Sequence, residues 1–214
     1  MSPKLSLKAV SLLYRWKQFE RLVLDQVDLA VDAGEFISLT GPNGSGKSSI
    51  LKLFLGLIAV DSGEVWIDEI QVKGGEPRPL DEMDIAYLPQ DPLRFFMGET
   101  VRQELQAARG LGDGVEELAR RYDLTRLLDQ PVRHLSGGER QRLGLAAFLA
   151  PERSILLLDE PSSFLDHENT ALLREALLER TDGRHTILHV TQYSDEVEWG
   201  NAHLVLMDGK LVRQ

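Results

Sequence analysis

Gly41-Pro42-Asn43-Gly44-Ser45-Gly46-Lys47-Ser48 runs glycine, four free positions, glycine, lysine, then a hydroxyl residue. Residues 35–40 before it have the composition of a short strand, and residues 50–57 after it form an apolar helical stretch. Strand, glycine-rich loop and helix in that order make a phosphate loop. The glycines let successive backbone N–H groups converge on an anion. The helix that follows directs its positive end at the same point. Lys47 is expected to bridge the β- and γ-phosphates of a triphosphate, and the Ser48 hydroxyl to hold Mg²⁺. A plain strand–helix turn with a solvated lysine is the alternative, and the flanking elements argue against it. By itself the loop predicts a nucleoside triphosphate site and no more.

Outward from the loop, Leu5, Leu7 and Ala9 alternate with polar residues, as do Val27, Leu29 and Val31, which predicts strands. Ala33-Gly34 and Asp61-Ser62-Gly63 read as turns, the second leading into a strand at 65–67. Gly74-Gly75, Pro77 and Pro79 mark a loop. Helices are expected over 100–109, 113–121 and 139–150. The apolar run Ile155-Leu156-Leu157-Leu158 suits a strand buried on both faces. A helix over 166–180, a strand over 186–191 and a hairpin around Asp208-Gly209 complete the chain. Strands at both ends around a helical block predict an α/β fold. Its parts are a phosphate-loop core, an antiparallel β region near the N-terminus and a helical subdomain. One domain over 1–214 is expected, with the core from 1–90 and 151–214 and the helical subdomain over 91–150.

Composition narrows the function classes. The 214 residues are 43% hydrophobic and 27% charged, enough to build a core. The net charge of −10 argues against a sequence-independent nucleic-acid binder, and no nucleic-acid partner is expected. Residues 91–133 hold seven Arg, no Lys and eight acids, so the negative excess lies elsewhere. With no cysteine, disulfides, Cys-ligated zinc, iron–sulfur clusters and thiol nucleophiles are excluded. The longest apolar runs, 53–60 and 143–150, are eight residues each, against about twenty for a membrane span. The first ten residues lack the apolar stretch of a signal peptide. The chain is expected to be soluble and intracellular, reaching a membrane only through a partner.

Two further stretches carry chemistry. Asp159-Glu160 ends the apolar run, and an acid there is costly unless paired or metal-bound. Asp159 suits Mg²⁺; Glu160, pointing elsewhere, suits a group that orients and polarises the attacking water. An N-cap after a core strand is the plainer alternative, and the phosphate loop in the same chain tips the balance. In Leu135-Ser136-Gly137-Gly138-Glu139-Arg140-Gln141, Ser136 and two glycines precede a helix. That makes a second anion-binding helix start, or simply a capped helix.

L-S-G-G-E-x-Q is the signature of ATP-binding cassette ATPases, which this chain resembles over essentially its whole length. Other stations of that family fall in order. Tyr14 lies where the family stacks an aromatic on adenine; Trp16, two residues on and on the same strand face, is the alternative platform. Gln90, in Tyr87-Leu88-Pro89-Gln90, matches the Q-loop glutamine, and Ser163-Phe164-Leu165-Asp166 matches the D-loop. The resemblance implies ATP along residues 41–48 and Ser49, with Mg²⁺ at Ser48, Gln90 and Asp159. It implies Lys47, Glu160 and Gln192 as catalytic residues. It also implies a head-to-tail dimer with a second cassette, homo- or heteromeric, in which Ser136, Gly137 and Gly138 serve the opposing subunit's nucleotide.

One station departs from the pattern. Val190-Thr191-Gln192-Tyr193 has glutamine where the family has histidine. Gln192 can donate an amide hydrogen bond to the γ-phosphate but carries no charge. His189, an odd offset away on the same strand, is expected on the opposite face. Slow hydrolysis, or a better site supplied by a different partner subunit, is the expectation. Phe95 and Phe96 are read as lining a partner groove or as core, and His167 as solvated.

The resemblance implies an ATPase that powers transport through a separate multi-span permease at the cytoplasmic face of the cell membrane. Residues 91–105 resemble the Q-D-P…F…T-V…E-L pattern of energy-coupling-factor importers, and also that of exporters with fused cassettes, so direction stays open. No C-terminal extension of the kind common among the importers is expected beyond the last strand. A soluble repair-type cassette is disfavoured, because Ser136 stands 89 positions after Lys47, which leaves no room for a coiled coil. A translation-type cassette would need two cassettes and a basic linker. An ATP-dependent interaction module is favoured only by Gln192, and Asp159 with Glu160 argues against it.

Overall fold

The computed structural model describes residues 3–17, 19–91, 96–109, 114–181 and 183–214. In chain order the strands are β1 Leu5–Trp16, β2 Phe19–Val31, β3 Phe36–Thr40, β4 Ser62–Ile67, β5 Ile70–Gln71, β6 Ile85–Leu88, β7 Ile155–Asp159, β8 Thr186–Val190, β9 Ala202–Met207 and β10 Lys210–Arg213. The helices are α1 Lys47–Phe54, α2 Val101–Arg109, α3 Val115–Arg121, α4 Gly137–Leu149, α5 His167–Leu178 and α6 Ser194–Val197. Phe95, read above as groove or core, lies outside the described residues; Phe96 is partly buried against the helical side of the core.

Two sheets form. The first is antiparallel, in the order β2-β1-β4-β5; the second runs β10-β9-β3-β8-β7-β6 and is parallel from β9 to β6. The period-2 side-chain rule sorts the central strand between two cores. Ile155 and Leu157 of β7 join the apolar cluster shared with the antiparallel sheet and α1, while Leu156 and Leu158 join the cluster under α2–α5. All five residues of β7 are buried. Each such leucine stabilises the fold by about 1.5–3 kcal/mol relative to exposure. Among the described residues no helix is long and apolar enough to cross a membrane.

Several element readings shift. The alternation in β1 breaks at Ala9, which is exposed with φ 48°. A bulge between Leu7 and Val10 moves the buried face onto Val10 and Leu12, and Asp28 Oδ1 accepts from Ala9 N at 2.9 Å. Helix α1 begins at Lys47 rather than residue 50, and ends before Gly56, whose φ of 66° breaks it. Helix α4 begins at Gly137 rather than residue 139, so both glycines lie inside its first turn instead of before it, and Ser136 is the cap.

Candidate functional site

Adjacent parallel strands β3, β8, β7 and β6 each end at the same edge of the sheet. Beyond their carboxyl ends lie the Gly41–Ser48 loop, Gln192, the Asp159-Glu160 pair and Gln90 respectively. Open α/β sheets place ligands at this edge.

The loop is shaped by its glycines. Gly46 has φ 112°, and a Cβ there would stand 2.5 Å from Val23 Cγ1. At Gly41, φ 149°, a Cβ would meet Leu206 O at 2.2 Å. No other residue fits either place. The Ser45 hydroxyl is buried without a hydrogen-bond partner, 3.0 Å from where that Gly41 Cβ would lie. Lys47 Nζ curls back to donate to Gly41 O (2.9 Å) and Pro42 O (3.2 Å) and lies 3.8 Å from Glu160 Oε1. Ser49 N donates to Gly46 O at 3.0 Å, while the N–H groups of Lys47 and Ser48 at the start of α1 have no intrahelical acceptor. The cleft they open into, about 270 Å³, is lined by Tyr14, Arg21, Gly44, Lys47, Ser49 and Glu160 among others.

Ser48 Oγ donates to Asp159 Oδ1 at 2.7 Å. Burial pushes the Asp159 carboxyl up, against the opposing effects of that hydroxyl and of Lys52 and Lys47. Burial, with the Asp159 charge beside it, likewise pushes the Tyr87 hydroxyl up. Glu160 stands in the left-handed region at φ 48°, a strained place for a non-glycine residue. Its N–H is tied to Val190 O (2.9 Å), and Gln90 Nε2 donates to its Oε2 (3.3 Å). Glu160 and Asp159 therefore diverge, although they are neighbours in sequence.

Tyr14 lies on the hairpin arm over the loop, and its hydroxyl is 3.0 Å from Ser49 Oγ. Trp16 is 74% exposed at the hairpin end, opposite Phe19, and does not line the cleft. Pro42 and Asn43 are exposed on the outer turn of the loop. Gln192 is exposed just past β8 and does not line the cleft in this state. His189 is fully buried on the Phe36 and Trp199 side.

Ser136 caps α4 through a reciprocal box: Glu139 N donates to Ser136 Oγ at 3.4 Å, and Glu139 Oε2 accepts from Ser136 N at 2.7 Å. The Ser136 N–H, and the Ser136 hydroxyl that donates to the same Oε2 at 2.8 Å, hold the Glu139 carboxyl below the usual carboxylate range. Ser136 and Gly137 are exposed.

Two residues of this region escaped sequence reasoning. Arg21, paired across the hairpin with Tyr14, donates from Nη2 to Gly44 O at 3.0 Å and lines the cleft. Only the register of β1 and β2 brings it there. Gln141, the last letter of the signature, donates to Phe164 O at 2.5 Å and accepts from Asp166 N and Asn169 Nδ2, locking α4 to the start of α5.

A family model described as ABC transporter matches residues 24–163. The ATP-binding protein EcfA1 of the energy-coupling factor transporter of Bacillus subtilis is 34% identical over 221 residues, covering 96% of this chain and 76% of that one. The protein of the same name from Mycoplasma mobile is 31% identical over 225 residues, covering 99% and 79%. Among solved structures, the ATP-binding cassette MJ0796, in a dimeric post-hydrolysis state bound to ADP and Pi, superposes with a TM-score of 0.81 at 25% identity, over 98% of this chain and 97% of that one. A family model spanning most of the chain, and relatives above 30% identity along nearly all of it, make this protein a member of the ABC transporter family and an ATP-binding ATPase.

Proposed function

We propose that this protein is the ATP-hydrolysing subunit of an energy-coupling-factor type transporter. It works in a head-to-tail pair of cassettes at the cytoplasmic face of the membrane, and a separate multi-span permease carries the cargo. The relatives named for that transporter class support the reading.

ATP enters the cleft with its base against Tyr14 and its phosphates on the Gly41–Ser48 loop and Ser49. Lys47 exchanges its two carbonyl acceptors for phosphate oxygens. Mg²⁺ fits the oxygen donors that already meet here, the Ser48 hydroxyl and the Asp159 carboxylate, with the Gln90 amide nearby. Magnesium is held by few protein ligands, the rest of its shell coming from phosphate and water. When bound, the ion neutralises charge on the phosphates. Glu160 accepts a hydrogen bond from the attacking water and takes its proton, and the Gln192 amide donates to the γ-phosphate once the cleft closes.

The observation that carries the paired arrangement is the start of α4. Ser136 and Gly137 face solvent, and a Cβ at Gly137 would meet nothing within 4 Å. Neither Gly137 nor Gly138 has a positive φ. Among the described residues nothing calls for glycine at these places, whereas close approach of a triphosphate from another subunit does.

Residues 91–150 act as the helical subdomain that faces the permease. A groove of about 650 Å³ between β6 and helices α2 and α4, lined by Leu80, Tyr87, Met97 and Phe148 among others, receives a permease segment. Met97 is 84% exposed there. Co-purification from native membranes tests this function. A multi-span partner that raises ATP turnover when added back is expected; recovery of only soluble partners overturns the reading.

A further inference from the structure

Behind the strand end that carries Gln192 lies a buried polar cluster that hydrolysis, as described, leaves unused. Its centre is Glu196 on α6, 3% exposed. Thr191 Oγ1 donates to Glu196 Oε2 at 2.6 Å, and Tyr193 N donates to that same hydroxyl oxygen at 3.0 Å. Thr191 is thus held to the carboxylate, and Tyr193 to the Thr191 hydroxyl. His189, fully buried, brings Nε2 within 3.3 Å of Glu196 Oε2, without a well-formed hydrogen bond at either ring nitrogen. Its ring stacks on Trp199 at 5.3 Å and meets Phe36 edge-on at 6.3 Å. In the turn that follows Glu160, the Ser162 hydroxyl is buried with no hydrogen-bond partner among the described residues.

A buried charge of this kind costs several kcal/mol before compensation, and apolar residues of similar volume often fill such a space at no loss of stability. Packing alone therefore does not account for the cluster. Its members share a location. Thr191 precedes Gln192, Ser162 stands two residues after Glu160, and Glu160 N is itself bonded to Val190 O at 2.9 Å.

We infer that Glu196 is a positioning residue for ATP hydrolysis: by fixing Thr191, and through its hydroxyl Tyr193, it holds the Gln192 segment in one arrangement at the mouth of the cleft, beside the Glu160 turn tied to the same strand end through Val190 O. The inference rests on the roles given to Glu160 and Gln192 above. His189 stands 3.3 Å from the carboxylate as a second polar neighbour beside the Thr191 hydroxyl, so the buried histidine lies against Glu196 and not on the nucleotide. Misplacement of a catalytic group by about 1 Å can cost about 100-fold in rate. The cluster thus acts on turnover and leaves nucleotide affinity alone.

Steady-state ATPase assays on the full-length protein test this with Glu196→Leu, Glu196→Gln and Thr191→Val. Glu196→Leu is expected to lower kcat by about 10–100-fold with KM for ATP within about twofold. Glu196→Gln, whose amide oxygen still accepts from Thr191, recovers turnover to within about threefold of the parent. Thr191→Val, which removes only the hydroxyl, lowers kcat by about 3–10-fold at constant KM. An unchanged kcat in Glu196→Leu, a KM that rises in step with the loss, or a Gln variant no better than Leu overturns the inference. Should Glu196→Leu fail to fold, Thr191→Val decides alone, and full turnover there overturns it. Glu160→Gln runs in parallel: normal turnover in that variant sinks the underlying site reading, whereas its loss beside an active Glu196→Leu sinks only the positioning role.

Discussion

Replacing Glu160 by Gln removes a charge and keeps the shape. Glu160 Oε1 lies 3.8 Å from Lys47 Nζ, with the two side chains 14% and 4% exposed. Unit charges near this separation attract by about 1 kcal/mol at the dielectric constant of water and about 4 kcal/mol at an effective value near 20. Part of the carboxylate is wet, so roughly 1–2 kcal/mol is a fair figure for the pair. That attraction competes with phosphate for Lys47, and the same carboxylate repels an incoming triphosphate. Its loss should tighten ATP binding by about five- to thirtyfold, at about 1.4 kcal/mol per factor of ten. Turnover should fall by about 10²–10⁴, the usual range for a lost general base. Titration with a fluorescent ATP analogue measures the first effect, and phosphate release under saturating Mg-ATP the second. Size-exclusion chromatography with ATP should show the variant accumulating as a dimer. Turnover within tenfold of the parent refutes the role of Glu160; weaker ATP binding refutes the electrostatic argument even if turnover is lost.

Lys47→Ala removes the charge-assisted bonds to the phosphates, about 1.5–3 kcal/mol, and should weaken ATP binding by about 10–150-fold in the same titration. Gln192→His restores a group that can carry positive charge and should raise kcat; no gain, or a loss, shows that the amide already suffices. Arg21→Gln should weaken ATP and ADP alike by a few fold and flatten the salt dependence of binding, because Arg21 lies beside Gly44 on the Tyr14 side of the cradle. A loss confined to ATP, or none, places the guanidinium away from the nucleotide.

What was legible in the sequence was what is local. The phosphate loop is recognised within residues 35–57, the loop together with its flanking strand and helix, and the apolar run ending at Asp159 announces a strand buried on both faces. The buried face of β1 was misread at Ala9 because a bulge shifts register without marking composition. The start of α4 was placed late because glycines are poor helix formers, while the Ser136–Glu139 box overrides that preference. Arg21 and Glu196 were invisible for another reason. Each acts across a contact set by strand register or by the return of α6 onto β8, and a linear reading holds neither. The left-handed backbone of Glu160 was equally hidden, yet it is what turns two adjacent carboxylates to separate tasks.

The signature glycines offer the sharpest division between fold and function. Gly137 and Gly138 are the first two residues of α4, neither with a positive φ. A methyl group at Gly137 meets open space; at Gly138 its nearest neighbours are Asp166 Oδ2 at 3.8 Å and Arg142 Nη1 at 3.9 Å, ordinary contact distances. Gly→Ala at a compatible site stabilises a protein by about 0.4–1 kcal/mol, chiefly by restricting the unfolded chain. Gly137→Ala should therefore hold or raise the unfolding midpoint and leave ATP binding to the isolated subunit intact. If these residues cradle the opposing subunit's triphosphate, the same methyl group stands where the phosphate oxygens must approach, and ATP-dependent dimerisation and turnover should both fall by more than tenfold. Chemical denaturation, nucleotide titration and size-exclusion chromatography on one preparation separate the three effects. A variant that is stable, binds ATP and still dimerises and hydrolyses normally would mean that the glycines face no nucleotide, and the two-subunit site would have to be abandoned.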